Sequence, residues 1–287
     1  MISKNTLLPV QTTLQNKGHL LDLSKPLVMG ILNATPDSFY NKGRGSDLKE
    51  LIGNADKMVD EGATILDIGG VSTRPGAEVI SVDEELKRVI PVVEAIHKKH
   101  PQIWLSVDTT SAVVARQAFY AGVSIINDIS SGRFDEEMMH AVAELRAPYI
   151  VMHMQGTPKT MQQNPQYEDV VLEVRDELRR VCDRCGEAGI TDVIIDPGFG
   201  FGKTLEHNFS LLRNLHTFRI LGKPILAGIS RKSMICKALN VTPEKALNGT
   251  TALHMVALQQ GANILRVHDV KEAVEVIRLF ECLEDDK

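Results

Sequence analysis

The chain has 287 residues, and 43% of them are hydrophobic, which is enough for a large buried core. Its 32 lysines and arginines against 37 acidic residues give a net charge of −5, and no tract of like charge stands out. We therefore expect neither nucleic acid nor a membrane surface as its main partner. No apolar run reaches the roughly 18 residues of a membrane span, and the N-terminus lacks the apolar segment of a signal peptide. These features predict a cytoplasmic protein.

The four cysteines fit a reducing compartment. Cys182 and Cys185 have the CxxC spacing of a zinc or redox site, but they lie in a helical pattern and no second pair matches them. We interpret them as two ordinary helix residues.

Residues 1–26 contain two short apolar runs on either side of Asn16-Lys17-Gly18, which is a turn signal typical of a β-hairpin. We expect this hairpin to cover one end of a core. No linker or change of composition follows residue 26. The predicted organisation is therefore a hairpin extension, residues 1–26, and one domain, residues 27–287.

From residue 27 onwards, apolar runs alternate with segments of helical periodicity. The expected strands are residues 27–32, 64–68, 103–107, 124–127, 149–152, 192–195, 225–229 and 264–267. The expected helices are residues 48–61, 82–99, 111–121, 136–145, 168–187, 206–221, 233–239, 244–260 and 270–283. Helices between successive strands favour parallel pairing, and eight such units predict an α/β fold, the closed (β/α)8 TIM barrel. A doubly wound sheet is the alternative, but it would usually carry a glycine fingerprint after its first strand, where this chain reads NATPD.

Polar or charged residues stand at all eight expected strand ends, where barrel enzymes carry their chemistry. These ends hold Asn33, Asp67, Asp108, Asn127-Asp128, Met152-His153, Asp196, Ser230-Arg231-Lys232, and Arg266 with His268 just beyond. Buried charges are costly unless they are paired or used, so the ring as a whole indicates a functional site. For Asp67 and Asp128 we favour a structural role, as helix caps or loop braces.

The sixth strand leads into the loop DPGFGFGK, residues 196–203. Gly198, Gly200 and Gly202 occupy every second position, which allows a tight turn or a close approach to a ligand. A carboxylate at the end of a buried strand, followed by a glycine loop, is typical of ligand sites in α/β proteins.

The ring divides into two chemical sectors. Asn33, Arg266 and His268 follow the first and eighth strands, which are neighbours in a closed barrel. The planar donors of arginine suit phosphate, and an asparagine oxygen could ligate Mg²⁺, so this corner predicts a site for an anion such as pyrophosphate.

The second sector contains Asp108, Asn127, Asp196 and Lys232. Carboxylate and amide groups can read a flat heterocycle that carries N–H and C=O groups on one edge. Phe201 and Met152 could add flat or soft apolar contact, although core packing is the simpler interpretation of Met152 alone.

Eight motifs, in this order, resemble the dihydropteroate synthase family. They are GILNATPDSF (30–39), DIGGVSTRPGAE (67–78), SVDT (106–109), INDIS (126–130), VMHMQGTP (151–158), DPGFGFGK (196–203), SRKS (230–233) and RVHDV (266–270). The resemblance implies a (β/α)8 barrel, usually a homodimer, in folate biosynthesis. It also implies a transferase that joins 7,8-dihydropterin-6-ylmethyl diphosphate to 4-aminobenzoate with Mg²⁺, releasing pyrophosphate and 7,8-dihydropteroate.

The resemblance implies roles for individual residues as well. Those implied for the pterin are Asp108, Asn127, Ile129, Met152, Asp196, Gly200, Phe201 and Lys232. Those implied for the diphosphate are Arg266 and His268, with Asn33 as the Mg²⁺ ligand. Those implied for 4-aminobenzoate are Thr73, Arg74, Pro75 and Ser233, and the loops 35–39 and 72–76 are implied to close over the site. The residues implied to be catalytic are Asp108, Lys232, Arg266 and Asn33.

One position departs from the family pattern. After Ser38-Phe39 the family usually continues Ser-Asp-Gly-Gly, whereas this chain reads Tyr40-Asn41-Lys42-Gly43. Asn41 thus replaces a carboxylate, and we expect a modest effect on aminobenzoate binding and no change of reaction.

Three rival interpretations remain. A pterin-binding methyltransferase barrel would share the Asp and Asn set but would need no diphosphate corner. A P-loop hydrolase is suggested by Gly202-Lys203-Thr204, but the first glycine of that motif would fall on Pro197. A barrel that binds pterin without catalysis is the third.

Overall fold

The computed structural model describes residues 10–34, 44–71, 80–157, 160–161 and 164–284, and the side chains of residues 44–47 are not described. A hairpin comes first, with strands β1 Thr13–Asn16 and β2 His19–Asp22. The barrel strands are β3 Leu27–Asn33, β4 Ile65–Gly69, β5 Trp104–Asp108, β6 Ile125–Asp128, β7 Tyr149–Met152, β8 Val193–Asp196, β9 Leu226–Ala227 and β10 Ile264–Val267.

Helices connect these strands and follow the last one. They are α1 Arg44–Asp60, α2 Val82–Lys99, α3 Ala112–Ala121, α4 Met138–Leu145, α5 Val170–Glu187, α6 Leu205–Arg213, α7 Ser233–Leu239, α8 Leu247–Gln259 and α9 Val270–Glu284. Two 3₁₀ helices, Leu215–Leu221 and Pro243–Lys245, precede β9 and α8.

The strands pair in parallel, in the order β8-β7-β6-β5-β4-β3-β10-β9. A parallel bridge between Ile195 and Ile225 joins the two ends, and the N–H of Ile195 donates to the carbonyl of Pro224 at 2.9 Å. The predicted (β/α)8 barrel with an N-terminal hairpin is therefore confirmed. Because all strands run the same way, their C-terminal ends form one rim.

The expected helix 206–221 is broken, and this is a correction. α6 ends at Arg213, and a 3₁₀ helix continues from Leu215. The side chain of Asn214 donates to the carbonyl of Ser210 at 2.9 Å, and the hydroxyl of Thr217 donates to the carbonyl of Asn214 at 2.8 Å. Such side-chain bonds compete with the helical ladder and favour a break.

The hairpin closes the N-terminal end of the barrel. Leu14, Leu21 and Leu23 pack against one inward-facing residue from each barrel strand. Those residues are Met29, Ile65, Trp104, Ile125, Ile150, Ile194, Leu226 and Ile264. The expected cover over one end of the core is thus present, and it lies at the end opposite the rim of polar residues.

The cysteine pair lies in α5, as the helical pattern predicts. Burial raises the pKa of Cys182 to about 11 and that of Cys185 to about 12. A raised pKa disfavours the thiolate on which metal binding and redox chemistry depend.

Within the described part of the chain, no helix combines the length and apolar character required to cross a bilayer.

Candidate active site

Three side chains on different strands meet at the rim around Arg266. Its Nε donates to Oδ2 of Asp67 at 2.7 Å, and its Nη2 donates to Oδ2 of Asp108 at 2.8 Å. Asn127 joins the group, because its Nδ2 donates to the same Oδ2 of Asp67 at 3.0 Å. β10, β4, β5 and β6 thus bring one guanidinium, two carboxylates and one amide into a single network.

The carboxylate of Asp108 has a strongly raised pKa. Burial raises its pKa to about 7, which Arg266 opposes and the charge of Asp67 reinforces. A buried carboxylate next to a second one is hard to ionise, because like charges repel and water is excluded. The free site therefore takes up or releases a proton near pH 7.

Asp196 and Lys232 form the second charged group at the rim. Both end groups lie close to Gly228, since a Cβ at that glycine would be 3.8 Å from Oδ2 of Asp196 and 3.6 Å from Nζ of Lys232. Burial lowers the pKa of Lys232 to about 8, against the attraction of Asp196. Lys232 also donates to the carbonyl of Phe199 at 2.6 Å, which fixes the direction of its ammonium group.

An apolar wall borders the charged ring. Ile129, Met152, Met154 and Met161 form one buried cluster, and Phe201 packs against it. The ring of Phe201 lies 4.8 Å from Nζ of Lys232, within the range of a cation–π contact. Aromatic and thioether groups beside hydrogen-bonding groups suit a flat, polar-edged ligand.

Two of the three residues predicted for the anion corner, Asn33 and His268, line one cavity of about 330 Å³ between β3 and α1. Arg266 does not line this cavity, but its charge acts on His268. Nδ1 of His268 lies 3.1 Å from the hydroxyl of Ser230. Loss of solvent around the ring, and then the charge of Arg266, lower the pKa of His268 to about 4, so the free site holds a neutral imidazole at pH 7.

Comparison with known proteins matches this geometry to one family. A pterin binding enzyme family model matches residues 29–268. The dihydropteroate synthases of Escherichia coli (strain K12) and Haemophilus influenzae are 51% and 46% identical, over 92% and 91% of this chain and 94% and 95% of theirs. The chain belongs to the dihydropteroate synthase family. Members of this family are transferases of folate biosynthesis.

Solved structures of the family superpose closely on this chain. A sulfonamide drug complex of Yersinia pestis dihydropteroate synthase has a TM-score of 0.90 and 45% identity, covering 95% of this chain and 99% of its own. Xanthomonas albilineans dihydropteroate synthase in complex with 7,8-dihydropteroate has a TM-score of 0.87 and 39% identity, covering 96% and 100%.

In the loop DPGFGFGK, the glycines serve the tight turn, which is one of the two alternatives expected for them. Gly198 has φ +71°, and a Cβ there would lie 1.9 Å from the carbonyl oxygen of His153. Gly202 has φ +62°, and a Cβ there would lie 2.6 Å from the carbonyl oxygen of Gln155. These two glycines let the loop press against the segment after β7, so the close approach is to the protein's own backbone.

Lys203 braces this loop from inside. Its buried Nζ donates to the carbonyls of Gly198 and Phe201, each at 2.9 Å, and lies 2.9 Å from Nδ1 of His153. Burial holds the pKa of Lys203 well below its usual range. An ammonium group committed to its own loop cannot reach a nucleotide phosphate, so the P-loop interpretation is wrong.

The two aspartates for which a structural role was expected have different surroundings. Asp128 is a brace, as expected, because its carboxylate accepts from the N–H groups of Ser130 and Gly132 and from the Tyr149 hydroxyl, each at 2.7 Å. Asp67 belongs instead to the ring, so favouring a brace there was wrong. The signal was its parity: Asp67 lies two residues beyond Ile65, which faces the barrel interior, so Asp67 faces the interior too.

The remaining predicted site residues lie either outside the described residues or outside the hydrogen-bonded network around Arg266. Thr73, Arg74, Pro75 and Asn41, and the loop 35–39, lie outside the described residues. Ser233 is described, and it is the exposed first residue of α7. Gly200, φ +84°, donates its N–H to Asn208 at 2.6 Å, and a Cβ there would lie 3.4 Å from the Lys232 side chain.

Proposed function

We propose that this chain joins 7,8-dihydropterin-6-ylmethyl diphosphate to 4-aminobenzoate, releasing pyrophosphate and 7,8-dihydropteroate. The observation that carries the proposal is the network in which Arg266 bridges Asp67 and Asp108, because it sets anion-binding donors beside heterocycle-binding acceptors. Family relatives support the substrates, since Xanthomonas albilineans dihydropteroate synthase has been solved with 4-aminobenzoic acid and with 7,8-dihydropteroate.

The pterin occupies the sector of Asp108, Asn127, Asp196 and Lys232. Carboxylate and amide oxygens accept from the pterin N–H groups, and the Lys232 ammonium donates to a ring nitrogen or carbonyl. Phe201, Met152 and Ile129 cover the faces of the ring system. The pKa of Lys232, about 8, leaves its ammonium mostly charged at pH 7.

The diphosphate occupies the corner of Arg266, His268 and Asn33. Arg266 donates two of its five N–H groups to Asp67 and Asp108, and the others bind the anion. Asn33 is exposed at the end of β3, and its amide oxygen is a hard ligand that would hold Mg²⁺ beside the diphosphate. When bound, Mg²⁺ supplies charge stabilisation to the departing diphosphate.

The reaction proceeds by dissociative substitution at the pterin methylene. The bond from that carbon to the diphosphate oxygen breaks first, and both electrons leave with the pyrophosphate. The electron-rich dihydropterin carries the positive charge, which the carboxylates of Asp108 and Asp67 stabilise. The aminobenzoate amine then forms the C–N bond, and the proton that its nitrogen loses passes to water. The exposed Ser233 hydroxyl faces the carboxylate of 4-aminobenzoate. The family resemblance assigns Thr73, Arg74 and Pro75, which lie outside the described residues, to the same substrate.

The chain works in the cytoplasm as a homodimer. All four cysteines are free, which fits a reducing compartment. Large apolar side chains are exposed on α7 and α9, namely Leu239, Leu279 and Leu283, and a second copy could cover them. Sedimentation of the purified protein at about its monomer mass, 31.7 kDa, at micromolar concentration would contradict the dimer.

The test is formation of 7,8-dihydropteroate from the two substrates with Mg²⁺, followed by chromatography. Lys232→Met and Arg266→Met should each lower kcat/KM by at least about 100-fold, as loss of a charged group in a closed site does. A methyltransferase barrel would instead transfer a methyl group from methyltetrahydrofolate and give no dihydropteroate. A non-catalytic barrel would bind the pterin diphosphate and return it unchanged.

A further inference from the structure

Asp67 is fully buried, and a single oxygen of its carboxylate serves two site residues on different strands. Its Oδ2 accepts from Nε of Arg266 at 2.7 Å and from Nδ2 of Asn127 at 3.0 Å. The contacts therefore link β4 to β10 on one side and to β6 on the other. No direct contact with substrate is assigned to Asp67 by the proposed function.

This sharing fixes which way the amide of Asn127 faces. Arginine has only donors, so the Asp67 oxygen that contacts Arg266 is an acceptor. The Asn127 atom 3.0 Å from that same oxygen must therefore be its NH₂ group, because two acceptors would repel at that distance. The amide oxygen of Asn127 then faces away from Asp67, and none of the described residues donates to it.

The same oxygen also helps to fix the plane of Arg266. The guanidinium is held at two points, Nε by Asp67 and Nη2 by Asp108. Two contacts on one edge of a planar group define its orientation, so its Nη1 edge is left for an anion. Asp67 thus orients the amide oxygen of Asn127, an acceptor in the heterocycle sector. It also orients the Nη1 edge of Arg266, a donor in the anion sector.

We propose that Asp67 is a positioning residue, which makes Asn127 present a hydrogen-bond acceptor to an N–H group of the bound pterin and aims Arg266 at the diphosphate. The inference rests on the proposed function for the identity of the ligand. Its consequence for specificity is that the site selects a heterocycle with a donor, not an acceptor, at the edge that meets Asn127.

Binding of 6-hydroxymethylpterin, measured by calorimetry, tests the inference without turnover. Asp67→Asn removes the charge that orients both partners and should weaken binding by about 10- to 100-fold. In an Asn127→Ala background the same substitution should change affinity less than about 2-fold, because a positioning residue acts through its partner. Equal losses in both backgrounds, or unchanged affinity in the single variant, would overturn the inference.

Ser106→Ala is the matched control. Ser106 lies on β5 directly opposite Asp67 in the strand register, it is fully buried, and its hydroxyl has no partner among the described residues. This variant should bind 6-hydroxymethylpterin with wild-type affinity. A loss as large as that of Asp67→Asn would mean that any change in this layer disturbs the site, which would overturn a specific role for Asp67.

A measurement on the wild-type protein covers the case in which Asp67→Asn does not fold. The side-chain NH₂ signal of Asn127 in an NMR spectrum, assigned by its loss in Asn127→Ala, should show slow hydrogen exchange both with and without 6-hydroxymethylpterin. Exchange that slows only when the pterin binds would mean that the NH₂ group faces the ligand, contrary to the inference. If wild-type protein binds no pterin, the proposed function fails as well, whereas wild-type binding with equal variant losses defeats this inference alone.

Discussion

Nη2 of Arg266 donates to Oδ2 of Asp108 at 2.8 Å, although β10 and β5 are separated in the barrel by β3 and β4. Arg266 only partly offsets the effect of burial, which raises the pKa of Asp108 to about 7. On the opposite side of the site, burial lowers the pKa of Lys232 to about 8. An ionised Asp108 and a protonated Lys232 therefore predominate together only in a narrow range, between about pH 7 and about pH 8.

These two pKa values predict a bell-shaped dependence of kcat/KM on pH. Activity should rise as Asp108 ionises near pH 7, because the carboxylate stabilises the pterin cation. It should fall as Lys232 loses its proton near pH 8, because the neutral amine no longer binds the pterin as a charged donor. Steady-state rates from pH 5 to 10 give the profile of the free enzyme.

Asp108→Asn should abolish the rising limb and lower the maximum by about 100-fold. Asp183→Asn, which changes an exposed carboxylate on α5, should leave both limbs in place. A rising limb that survives in Asp108→Asn would assign the titration to another group.

Lys203→Met should lower the free energy of unfolding, because it removes the buried amino group and keeps an unbranched, mostly apolar side chain. The carbonyls of Gly198 and Phe201 lose their donor, and an unsatisfied buried acceptor costs about 1–3 kcal/mol. Urea denaturation should show a loss of at least about 2 kcal/mol. Lys98→Met, an exposed site on α2, is the control and should stay within about 0.5 kcal/mol; a similar loss there, or none in Lys203→Met, speaks against the brace.

Gly198→Ala should destabilise the protein severely. The new Cβ would meet the carbonyl oxygen of His153, and φ +71° is a conformation that alanine rarely adopts. We expect a loss of at least about 3 kcal/mol in urea denaturation, or failure to fold. Gly186→Ala, in open space on α5, should instead stabilise the protein by about 0.5–1 kcal/mol. The same outcome for both variants would refute the steric account.

Leu14→Ala separates stability from catalysis. Leu14 is fully buried in the hairpin that closes the barrel at the end opposite the site, so its truncation should cost about 2–5 kcal/mol of unfolding free energy. kcat and KM at 25 °C should stay within about 2-fold of the wild type, because the hairpin packs against the end of the barrel opposite the rim. Leu20→Ala, 69% exposed on the same hairpin, should change neither quantity. A large fall in kcat for Leu14→Ala would link the hairpin to the site.

The barrel and much of the ring could be predicted because their signals are local. An apolar strand followed at once by a polar residue marks Asp108, Asn127 and Asp196 directly in the sequence. The contacts among these residues depend on which strands become neighbours, and strand alternation constrains that order strongly.

Other features could not be predicted, because their partners are distant in the sequence. Strand alternation turns Asp67 toward the barrel interior, but the sequence does not reveal its partner there, Arg266, which lies 199 residues away. Lys203 ends a stretch that partly resembles a phosphate-binding loop, and its commitment to backbone carbonyls depends on how tightly the loop packs against His153. The break at Asn214 depends on a choice of side-chain hydrogen bond that periodicity does not reveal.

The ratio of pyrophosphate released to 7,8-dihydropteroate formed tests the proposed reaction directly. Purified protein would be supplied with 7,8-dihydropterin-6-ylmethyl diphosphate and Mg²⁺, with and without 4-aminobenzoate, and both products would be followed in the same samples. We expect one pyrophosphate for each dihydropteroate, and dihydropteroate only when 4-aminobenzoate is present. Bound pterin diphosphate with no dihydropteroate formed would contradict it, and would leave a barrel that binds the pterin without joining it to the second substrate.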